Sequence, residues 1–524
     1  MNQLNQSLLE NKEFWENKSV ELPKYDRKTT PIKSIAFSAG RMAFGHTGDI
    51  LQDLLNKDSS CGQMLGVKTN SLNSAQPFFE SDSLITQLIF ENEKGKITKR
   101  IVGAVKETIF CDNNKTSDSW QTLLEFARDP AIQFATINAP EMVYGVTWDG
   151  KSEQSVIIDE KLKDDINNGT IDTDPAKWVF FALERYHANL KLAFVSCTNF
   201  SANGHFTAAC MKTIAKGWED KGYAPQGFYQ YISDPTKISF PNCMIDRIAV
   251  APDDNTNEIL KDLQIDSPVV VTEKARYWVV EDKFPAGRPP FENAEGVIME
   301  ESYEEVKKYE DMKLRVLNMS HSVIAHLGVL LGYRGNYGIF KAISDTDLKS
   351  LIDSIIVIVQ NTIPNPNKMS VAKFAEETIE RLFNENIPDD PMRIAFGGSA
   401  KMHPRFLETY FEAKEKGADD SDLIKLLLPV AAFIRYTVGI DDDGNEYELG
   451  DDPFLNLLKE AGNSVCIGKE ETSDKIKEII SHEGIMGRNL FEDGNTGENL
   501  ESLVKSMLKS KGSIRSTLQE INKN

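Results

Sequence analysis

The sequence predicts an α/β domain followed by an all-helical domain, and three observations support this order. First, its 524 residues exceed the roughly 250–300 residues at which single hydrophobic cores stop growing, so two or three domains are expected. Second, short apolar runs alternate with helical patterns in the first half, which is typical of a parallel sheet covered on both faces. Third, helical periodicity replaces strand-like runs after about residue 290.

The first half contains apolar runs that predict strands and intervening segments whose spacing predicts helices. The predicted strands are Ser34–Ser38, Met64–Val67, Ile132–Ile137 and Leu192–Cys197, and the predicted helices are Asp49–Asn56, Trp120–Ala127 and Lys177–Ala188. A β-hairpin is inserted into this alternation: Leu84–Phe90 and Ile97–Phe110 flank the turn Glu91–Lys96, where a Lys-Gly pair sets the register. Together these elements predict an α/β domain over residues 1–300.

Helices alone are predicted after a proline-rich boundary. Phe284–Phe291 reads FPAGRPPF, and prolines at this density block both helices and strand pairing. The predicted helices are Tyr303–Leu331, Thr346–Gln360, Val371–Phe383, Pro404–Lys414, Asp420–Thr437 and Leu500–Ile521. An all-helical domain is therefore expected over residues 301–524.

Composition and charge exclude several classes of partner. The net charge of −21 argues against nucleic acid or an anionic membrane, since both attract basic surfaces. The first thirty residues contain no apolar signal-peptide core, and no apolar window approaches the roughly 20 residues of a membrane span. Six cysteines without a CxxC pair indicate reduced thiols. We expect a cytoplasmic protein, either a monomer or a small homo-oligomer.

The segment Lys313–His321 (KLRVLNMSH) carries the most informative polar side chains. On an α-helix Asn318 and His321 share one face, and Lys313 lies within roughly 140° of it. A buried lysine can act as a general base for an alcohol, an asparagine amide can donate to the developing oxygen charge, and a neutral histidine can orient the hydroxyl. On spacing alone, a snorkelling lysine beside two satisfied polar side chains is the better explanation of the pattern.

This segment is similar to the Lys-x4-Asn-x2-His signature of mannitol dehydrogenases and their fructuronate- and tagaturonate-reductase relatives. Other blocks that resemble the family follow in its order: Ser196–Asn199 (SCTN), Phe240–Ile248 (FPNCMIDRI), Trp278–Pro289 (WVVEDKFPAGRP), Arg393–Lys401 (RIAFGGSAK) and Gly487–Leu490. The resemblance spans about residues 34 to 490. It implies a Rossmann-like N-terminal domain, here with an inserted β-hairpin, followed by an all-helical C-terminal substrate domain.

The resemblance also implies roles for individual residues. Lys313 would be the general base, while Asn199 and Asn318 would polarise the substrate oxygen. His321, Asp246, Arg393 and Lys401 would hold the sugar hydroxyls or a terminal carboxylate, and Glu310 would relay protons, together with Glu141 from the cofactor side. Purely structural roles also stay open for the residues outside the Lys313–His321 segment, such as a local ion pair between Asp246 and Arg247. No metal is expected, because the histidines show no HExxH spacing and the family does not use zinc.

The cofactor loop departs from the family pattern. Ser38-Ala39-Gly40-Arg41 follows the first strand, with Ser38 where the family usually has the first glycine of Gly-x-Gly. Gly40 is retained, and Arg41 could contact a phosphate. The second strand ends at Lys68 without the acidic residue that holds the 2′-hydroxyl of NAD, so Lys68 could tolerate a 2′-phosphate. NAD and NADP both remain candidate cofactors. Glu141 also lies in an altered turn, PEMVY.

The leading hypothesis is a metal-independent dehydrogenase that moves a hydride reversibly between a nicotinamide cofactor and a small sugar. Its substrate pair would be a sugar alcohol and ketose, or a hexonate and keto-hexuronate. One alternative is an epimerase or isomerase that retains NAD and reduces its own oxidised intermediate. Another is a carbohydrate-binding relative without redox activity, although such a protein has no need of a general base.

Overall fold

The computed structural model of the chain describes residues 1–93, 95–147, 156–250, 252–469 and 471–523. The chain forms two compact units. The first comprises Met1–Glu91 and Gly95–Lys307, and the second comprises Asn92–Lys94 and Lys308–Asn524. The division after Lys307 lies close to the domain boundary that the sequence predicts at residue 300.

The first unit contains strands and helices that alternate along the chain. Its strands are β1 (Asn2–Gln3), β2 (Val20–Glu21), β3 (Ile32–Phe37), β4 (Gln63–Lys68), β5 (Ile85–Phe90), β6 (Ile97–Val102), β7 (Val105–Phe110), β8 (Phe134–Ile137), β9 (Val146–Thr147), β10 (Ile157–Ile158), β11 (Leu192–Ser196), β12 (Ile238–Ser239), β13 (Cys243–Asp246), β14 (Ala249–Val250), β15 (Ile265–Asp266), β16 (Val269–Glu273), β17 (Tyr277–Glu281) and β18 (Val297–Glu300). Its helices are α1 (Gln6–Glu10), α2 (Lys12–Trp15), α3 (Asp49–Leu55), α4 (Leu72–Glu80), α5 (Asp118–Arg128), α6 (Glu160–Asn168), α7 (Asp174–His187), α8 (Asn203–Asp220), α9 (Phe228–Ser233) and α10 (Asp254–Leu263).

A six-stranded parallel sheet forms the centre of this unit, with the strand order β12-β11-β8-β3-β4-β7. When these six strands are numbered 1 to 6 along the chain, their order in the sheet is 6-5-4-1-2-3, which is the Rossmann arrangement. The four strands predicted from apolar runs are β3, β4, β8 and β11, and the predicted α/β class is confirmed. Phe37 and Phe194 of the sheet pack with Trp178 and Phe181 of α7 in one buried cluster. Such a sheet binds ligands at the carboxyl ends of its strands, where the order reverses between β3 and β8.

The inserted hairpin is confirmed, but its second arm is shorter than predicted. β5 and β6 pair antiparallel across the turn, within the five-stranded sheet β14-β16-β5-β6-β2. The predicted strand Ile97–Phe110 is wrong as one element, because it divides at Gly103-Ala104. The Gly103 N–H donates to Gln52 Oε1 there, and β7 beyond it joins β4 in the parallel sheet.

The second unit is helical, as predicted. From the helix that enters it onwards, the helices are α11 (Tyr303–Met312), α12 (Met319–Val323), α13 (Gly338–Ile343), α14 (Thr346–Thr362), α15 (Val371–Leu382), α16 (Pro391–Ala395), α17 (Ser399–Met402), α18 (Glu408–Glu415), α19 (Asp420–Tyr436), α20 (Leu455–Asn463), α21 (Asp474–Ser481), α22 (Glu483–Met486), α23 (Thr496–Leu508) and α24 (Ser513–Lys523). The prediction of one helix over Leu500–Ile521 is wrong. Gly512 adopts φ +81° in this range, and that left-handed backbone separates α23 from α24.

Three π-helical turns interrupt the helices of the second unit at Lys313–Asn318, Ile324–Gly328 and His403–Leu407. Turns of this kind are rare and occur frequently at functional sites. The first two lie inside the segment Tyr303–Leu331 that the sequence predicts as one helix. The apolar periodicity therefore predicted the extent of this helical segment but not its local geometry.

Two further features concern the chain as a whole. All six cysteines are free thiols, and five of them are buried. Among the described residues, no helix is both long and apolar enough to cross a membrane.

Candidate active site

In the helical unit, the first π-helical turn carries the lysine and the asparagine of the signature segment. The Met319 N–H at its end donates to Leu314 O, five residues earlier, rather than to the carbonyl four residues earlier. This wider turn brings residues five apart, such as Lys313 and Asn318, closer to one side than the α-helical spacing assumed from the sequence. The side chains of Lys313 and Glu310 are buried, each 7% exposed, whereas Asn318 is partly exposed.

His321 follows on α12 and is held as a neutral ring. Its Nδ1 lies 2.9 Å from Leu317 O, and since a carbonyl can only accept, Nδ1 carries the proton and Nε2 keeps its lone pair. Burial lowers the pKa of His321, and the charges of Arg381 and Arg405 lower it further, although the bond to Leu317 and the charge of Asp389 raise it. At neutral pH the ring can therefore accept a hydrogen bond from a hydroxyl.

Arg393 and Lys401 lie close together on the neighbouring helices α16 and α17. Arg393 is exposed and forms an ion pair with Asp389, with Nη2 2.7 Å from Oδ2. Lys401 Nζ donates to Ile394 O at 2.6 Å and to Phe396 O. Burial lowers the pKa of Lys401 to about 8, helped by the charges of Arg405 and Arg393. The lysine is thus a cation near neutral pH that loses its charge in mildly alkaline solution.

Arg405, one turn after Lys401, belongs to the same cluster, although the sequence did not single it out. Its Nη1 donates to Asn318 O at 2.9 Å and to Ser322 Oγ at 2.7 Å. Burial lowers the pKa of Arg405 to about 10, and its charge helps to lower the pKa of the buried His326 to about 3. Arg405 lies in the predicted helix Pro404–Lys414, four residues after Lys401, and this spacing could have drawn attention to the position.

In the α/β unit, the loop after β3 occupies the place of the Rossmann glycine loop. Ser38 adopts φ +53°, the left-handed backbone for which the family uses glycine. Gly40 precedes a π-helical turn at Ala43–Gly48, and Arg41 is exposed. Ser38 therefore adopts a backbone conformation that favours glycine, although it replaces the first glycine of the pattern.

Lys68, at the end of β4, contacts this loop through its ammonium group. Its Nζ donates to Ala39 O at 3.0 Å and lies 4.7 Å from the centroid of the Phe78 ring. Burial lowers the pKa of Lys68, as does the charge of Arg41. The ammonium group is thus engaged with the loop backbone, a role that the sequence did not indicate.

Asp174 on α7 contacts the same loop and was also missed. Ser38 Oγ donates to Asp174 Oδ2 at 3.3 Å, and the buried Lys177 Nζ lies 3.8 Å from Asp174 Oδ1. The two residues are 136 positions apart along the chain, so no sequence spacing could have joined them. An acidic side chain therefore lies at the loop even though none follows β4 directly.

The other predicted residues of this unit lie at or near strand ends. Asn199 follows β11 and is exposed, and its neighbour Thr198 donates to Ala139 O at 2.7 Å. Asp246 ends β13 and is buried, whereas Glu141 is exposed on a short 3-10 turn. Arg247 bonds to Asp49 and to the backbone of β16 and its following turn. Within the α/β unit, Ser38, Gly40 and Lys68 are brought together at the edge of the sheet where a Rossmann fold binds its ligand.

Comparison with known proteins identifies relatives over nearly the whole chain. Residues 33–293 match the mannitol dehydrogenase Rossmann domain, and residues 305–508 match the mannitol dehydrogenase C-terminal domain. The chain is 29% identical to the D-mannonate oxidoreductase of Thermotoga maritima, covering 99% of this chain and 98% of the relative. It is 27% identical to the mannitol 2-dehydrogenase of Phaeosphaeria nodorum, covering 86% and 76%.

A solved structure has the same fold. The mannitol 2-dehydrogenase of Pseudomonas fluorescens, in a ternary complex with NAD and D-mannitol, superposes with a TM-score of 0.80. The two chains are 22% identical, and the match covers 100% of both. The Rossmann and helical architecture inferred from the sequence is thus that of a known dehydrogenase.

Proposed function

The chain belongs to the mannitol dehydrogenase family, and we propose that it transfers a hydride reversibly between a nicotinamide cofactor and a sugar alcohol or a hexonate, with Lys313 as the general base. The family assignment makes the chain an oxidoreductase acting on polyols or hexonates. The observation that carries the finer proposal is the buried Lys313, which shares a π-helical turn with Asn318 and precedes the neutral ring of His321.

The residues of the α/β unit fit a dinucleotide. The loop Ser38–Arg41 follows the first strand of a Rossmann sheet and adopts a left-handed backbone where glycine is usual. Gly40 and Arg41 would hold the phosphates, with Ser38 and Lys68 fixing the loop. The bound nicotinamide supplies the hydride acceptor for oxidation of the sugar and the donor for reduction.

In the proposed oxidation, the neutral amine of Lys313 accepts the proton of the substrate hydroxyl as the C–H bond breaks. The hydride leaves that carbon for the cofactor, and the carbon–oxygen bond becomes a carbonyl. Asn318 and Asn199 donate to the oxygen while its negative charge develops, which stabilises the transition state more than the ground state. His321 Nε2 accepts a hydrogen bond from a substrate hydroxyl.

Outer residues are proposed to position the sugar and move the proton onward. Asp246, Arg393 and Lys401 hold the remaining hydroxyls or a terminal carboxylate. Glu310, three residues before Lys313, relays the proton toward solvent. Glu141, also a candidate for cofactor binding, assists this proton relay. Glu310 is buried, and this supports a relay. An exposed carboxylate would exchange its proton with water directly and would not need to pass it between buried groups.

A substrate panel tests this function. Hexitols, pentitols, hexonates and hexuronates are incubated with NAD(H) and NADP(H), and turnover is followed by the nicotinamide absorbance. We expect oxidation or reduction of at least one sugar. An epimer formed without added cofactor would instead identify an enzyme that retains NAD, and sugar binding without any turnover would identify a carbohydrate-binding protein.

A further inference from the structure

We propose that Arg405 binds a carboxylate of the substrate, so that the chain acts on a hexonate and its keto-hexuronate in preference to a neutral hexitol and its ketose. This inference rests on the proposed function and narrows its substrate class. It assigns a specificity-determining role to a residue outside the signature segments.

The bonding of Arg405 leaves half of its guanidinium group available. Nη1 donates both of its bonds, to Asn318 O and Ser322 Oγ. Nε and Nη2 make no hydrogen bond to any residue that the structure describes, and no described carboxylate lies within ion-pair distance of Arg405. Because a guanidinium presents its N–H groups as a planar fork, the remaining edge matches the two oxygens of a carboxylate.

Several other arginines of the helical unit have acidic partners. Arg315, on the first π-helical turn, pairs with Glu408 and Glu412, the second at 2.5 Å. Arg393 pairs with Asp389 at 2.7 Å, and Arg515 pairs with Asp347 at 3.0 Å. Acidic side chains are therefore placed beside several arginines of this unit, yet none of the described acids is placed at Arg405.

The surroundings of Arg405 add positive charge rather than balance it. Lys401 lies one helical turn away, and the charge of Arg405 contributes to its lowered pKa. His321 and His326 stay neutral, in part because of the same charge. Asp452 accepts two hydrogen bonds from Ser399, and Asp389 is occupied by Arg393. A partly buried cation without a counter-charge is costly, and an anionic ligand relieves that cost.

The position of Arg405 connects this cation to the reacting groups. Its guanidinium contacts the backbone of Asn318, one of the two asparagines assigned to the substrate oxygen. Ser322, the second contact, is the residue after His321. Because the charge of Arg405 also acts on the His321 ring, we infer that a carboxylate held here belongs to the molecule whose hydroxyl His321 binds.

The rival role for Arg405 is purely positional: its two bonds could fix the helix around Asn318 for any substrate. D-Mannonate and D-mannitol separate the two roles, because they share their chain length and differ at the terminal carboxylate. Calorimetric affinity and kcat/KM are measured for both sugars with the wild-type chain, Arg405→Gln and Arg405→Lys. Arg315→Gln is the matched control, since it removes an arginine that already has carboxylate partners.

We expect the wild-type chain to favour D-mannonate, and Arg405→Gln to lower affinity and kcat/KM for D-mannonate by about 10- to 100-fold more than for D-mannitol. Arg405→Lys should retain part of the preference, because an ammonium keeps the charge but not the fork. Arg315→Gln should affect both sugars alike. Added salt should weaken D-mannonate binding to the wild-type chain more than to Arg405→Gln.

An equal loss for both sugars in Arg405→Gln, or a wild-type preference for D-mannitol, would overturn the proposal. Should Arg405→Gln not fold, Arg405→Lys decides: a reduced preference for D-mannonate supports the carboxylate role, and an unchanged preference refutes it. The binding arm is independent of catalysis. A chain that binds D-mannonate through Arg405 but oxidises neither sugar would contradict the proposed function and not this inference.

Discussion

Arginines are buried in both compact units, but their partners differ. In the α/β unit, Arg100, Arg247 and Arg276 surround Asp49, whose Oδ2 lies 2.7 Å from Arg276 and 3.2 Å from Arg247. Asp49 is 1% exposed, and Arg276 also reaches Asp53. In the helical unit, Arg405 has no described acidic partner. The paired cluster joins α3 to the five-stranded sheet β14-β16-β5-β6-β2. We propose that Arg405, without an acidic partner among the described residues, serves a ligand instead.

The comparison predicts that the charged groups of the candidate site in the helical unit serve chemistry rather than stability. Lys313→Ala should lower kcat by about 10²–10⁴, the usual contribution of general acid–base catalysis, with little change in the melting temperature or in cofactor affinity. Steady-state kinetics and thermal unfolding measure the two effects separately. Lys307→Ala, an exposed lysine on α11, is the control and should keep its kcat. Wild-type kcat in Lys313→Ala at saturating substrate would exclude the proposed base.

The paired cluster should show the opposite behaviour. Asp49→Ala leaves three buried arginines without their shared carboxylate, which should cost about 3–5 kcal/mol of the free energy of unfolding. Urea denaturation of the variant measures this cost. Asp53→Ala should cost less, because the Asp53 side chain is 27% exposed. If Asp49→Ala were as stable as wild type, the cluster would not be the structural element described here.

Acid should weaken the same cluster. Burial raises the pKa of Asp49, but the charges of Arg247, Arg276 and Arg100 outweigh burial and hold it below its ordinary value. A carboxyl whose folded pKa is depressed stabilises the fold above its unfolded pKa, about 3.9, and loses that contribution as the pH falls below it. The stability difference between wild type and Asp49→Ala should therefore narrow below about pH 4.

Alkaline pH should act on the helical unit instead. Lys401 has a pKa of about 8, so its charge is lost as the pH rises through that value. Affinity for D-mannonate should then fall by less than about tenfold, or 1.4 kcal/mol, as one of two nearby cations is removed. Calorimetry from pH 7 to pH 9 measures the change, and Lys401→Arg should remove it because arginine stays protonated. A pH-independent affinity in the wild type would show that Lys401 does not contribute to binding.

The smallest effect is expected at the cofactor loop. Ser38 adopts φ +53°, which costs a non-glycine residue roughly 1–2 kcal/mol, while glycine loses about 0.5–1 kcal/mol through its freer unfolded chain. Ser38→Gly should therefore stabilise the chain slightly, by less than about 1 kcal/mol, and keep its affinity for the cofactor. Thermal unfolding and cofactor titration measure both. Clear destabilisation would mean that the bond to Asp174, rather than backbone shape, holds the loop.

The sequence predictions were accurate where structure depends on residues close together in the chain, and they failed where it depends on contacts between distant segments. Apolar periodicity located β3, β4, β8 and β11 and most long helices, because burial patterns are local. It missed α8 and treated α23 and α24 as one helix, although Gly512 was a visible signal. It also missed the π-helical turn at Lys313, because π and α turns share similar apolar patterns. The role of Lys68 in supporting the loop could not be predicted either.

The site residues that the sequence did not single out contact segments that are distant along the chain. Asp174 meets Ser38 across 136 residues, and Arg405 meets Asn318 across 87. Pairings of this kind depend on tertiary packing, which a single sequence does not encode as a spacing. Resemblance to a family singled out Lys313 and Asn318 as candidates, but it could not show that Arg405 has no acidic partner among the described residues.

Isotopic labelling tests the proposed hydride transfer most directly. A keto sugar that the chain reduces is incubated with reduced cofactor carrying deuterium in both positions of the nicotinamide carbon that transfers the hydride, and the product is examined by mass spectrometry and NMR. We expect one deuterium on the carbon that becomes the alcohol. A product without deuterium, or an epimer formed while the added cofactor stays unoxidised, would contradict it.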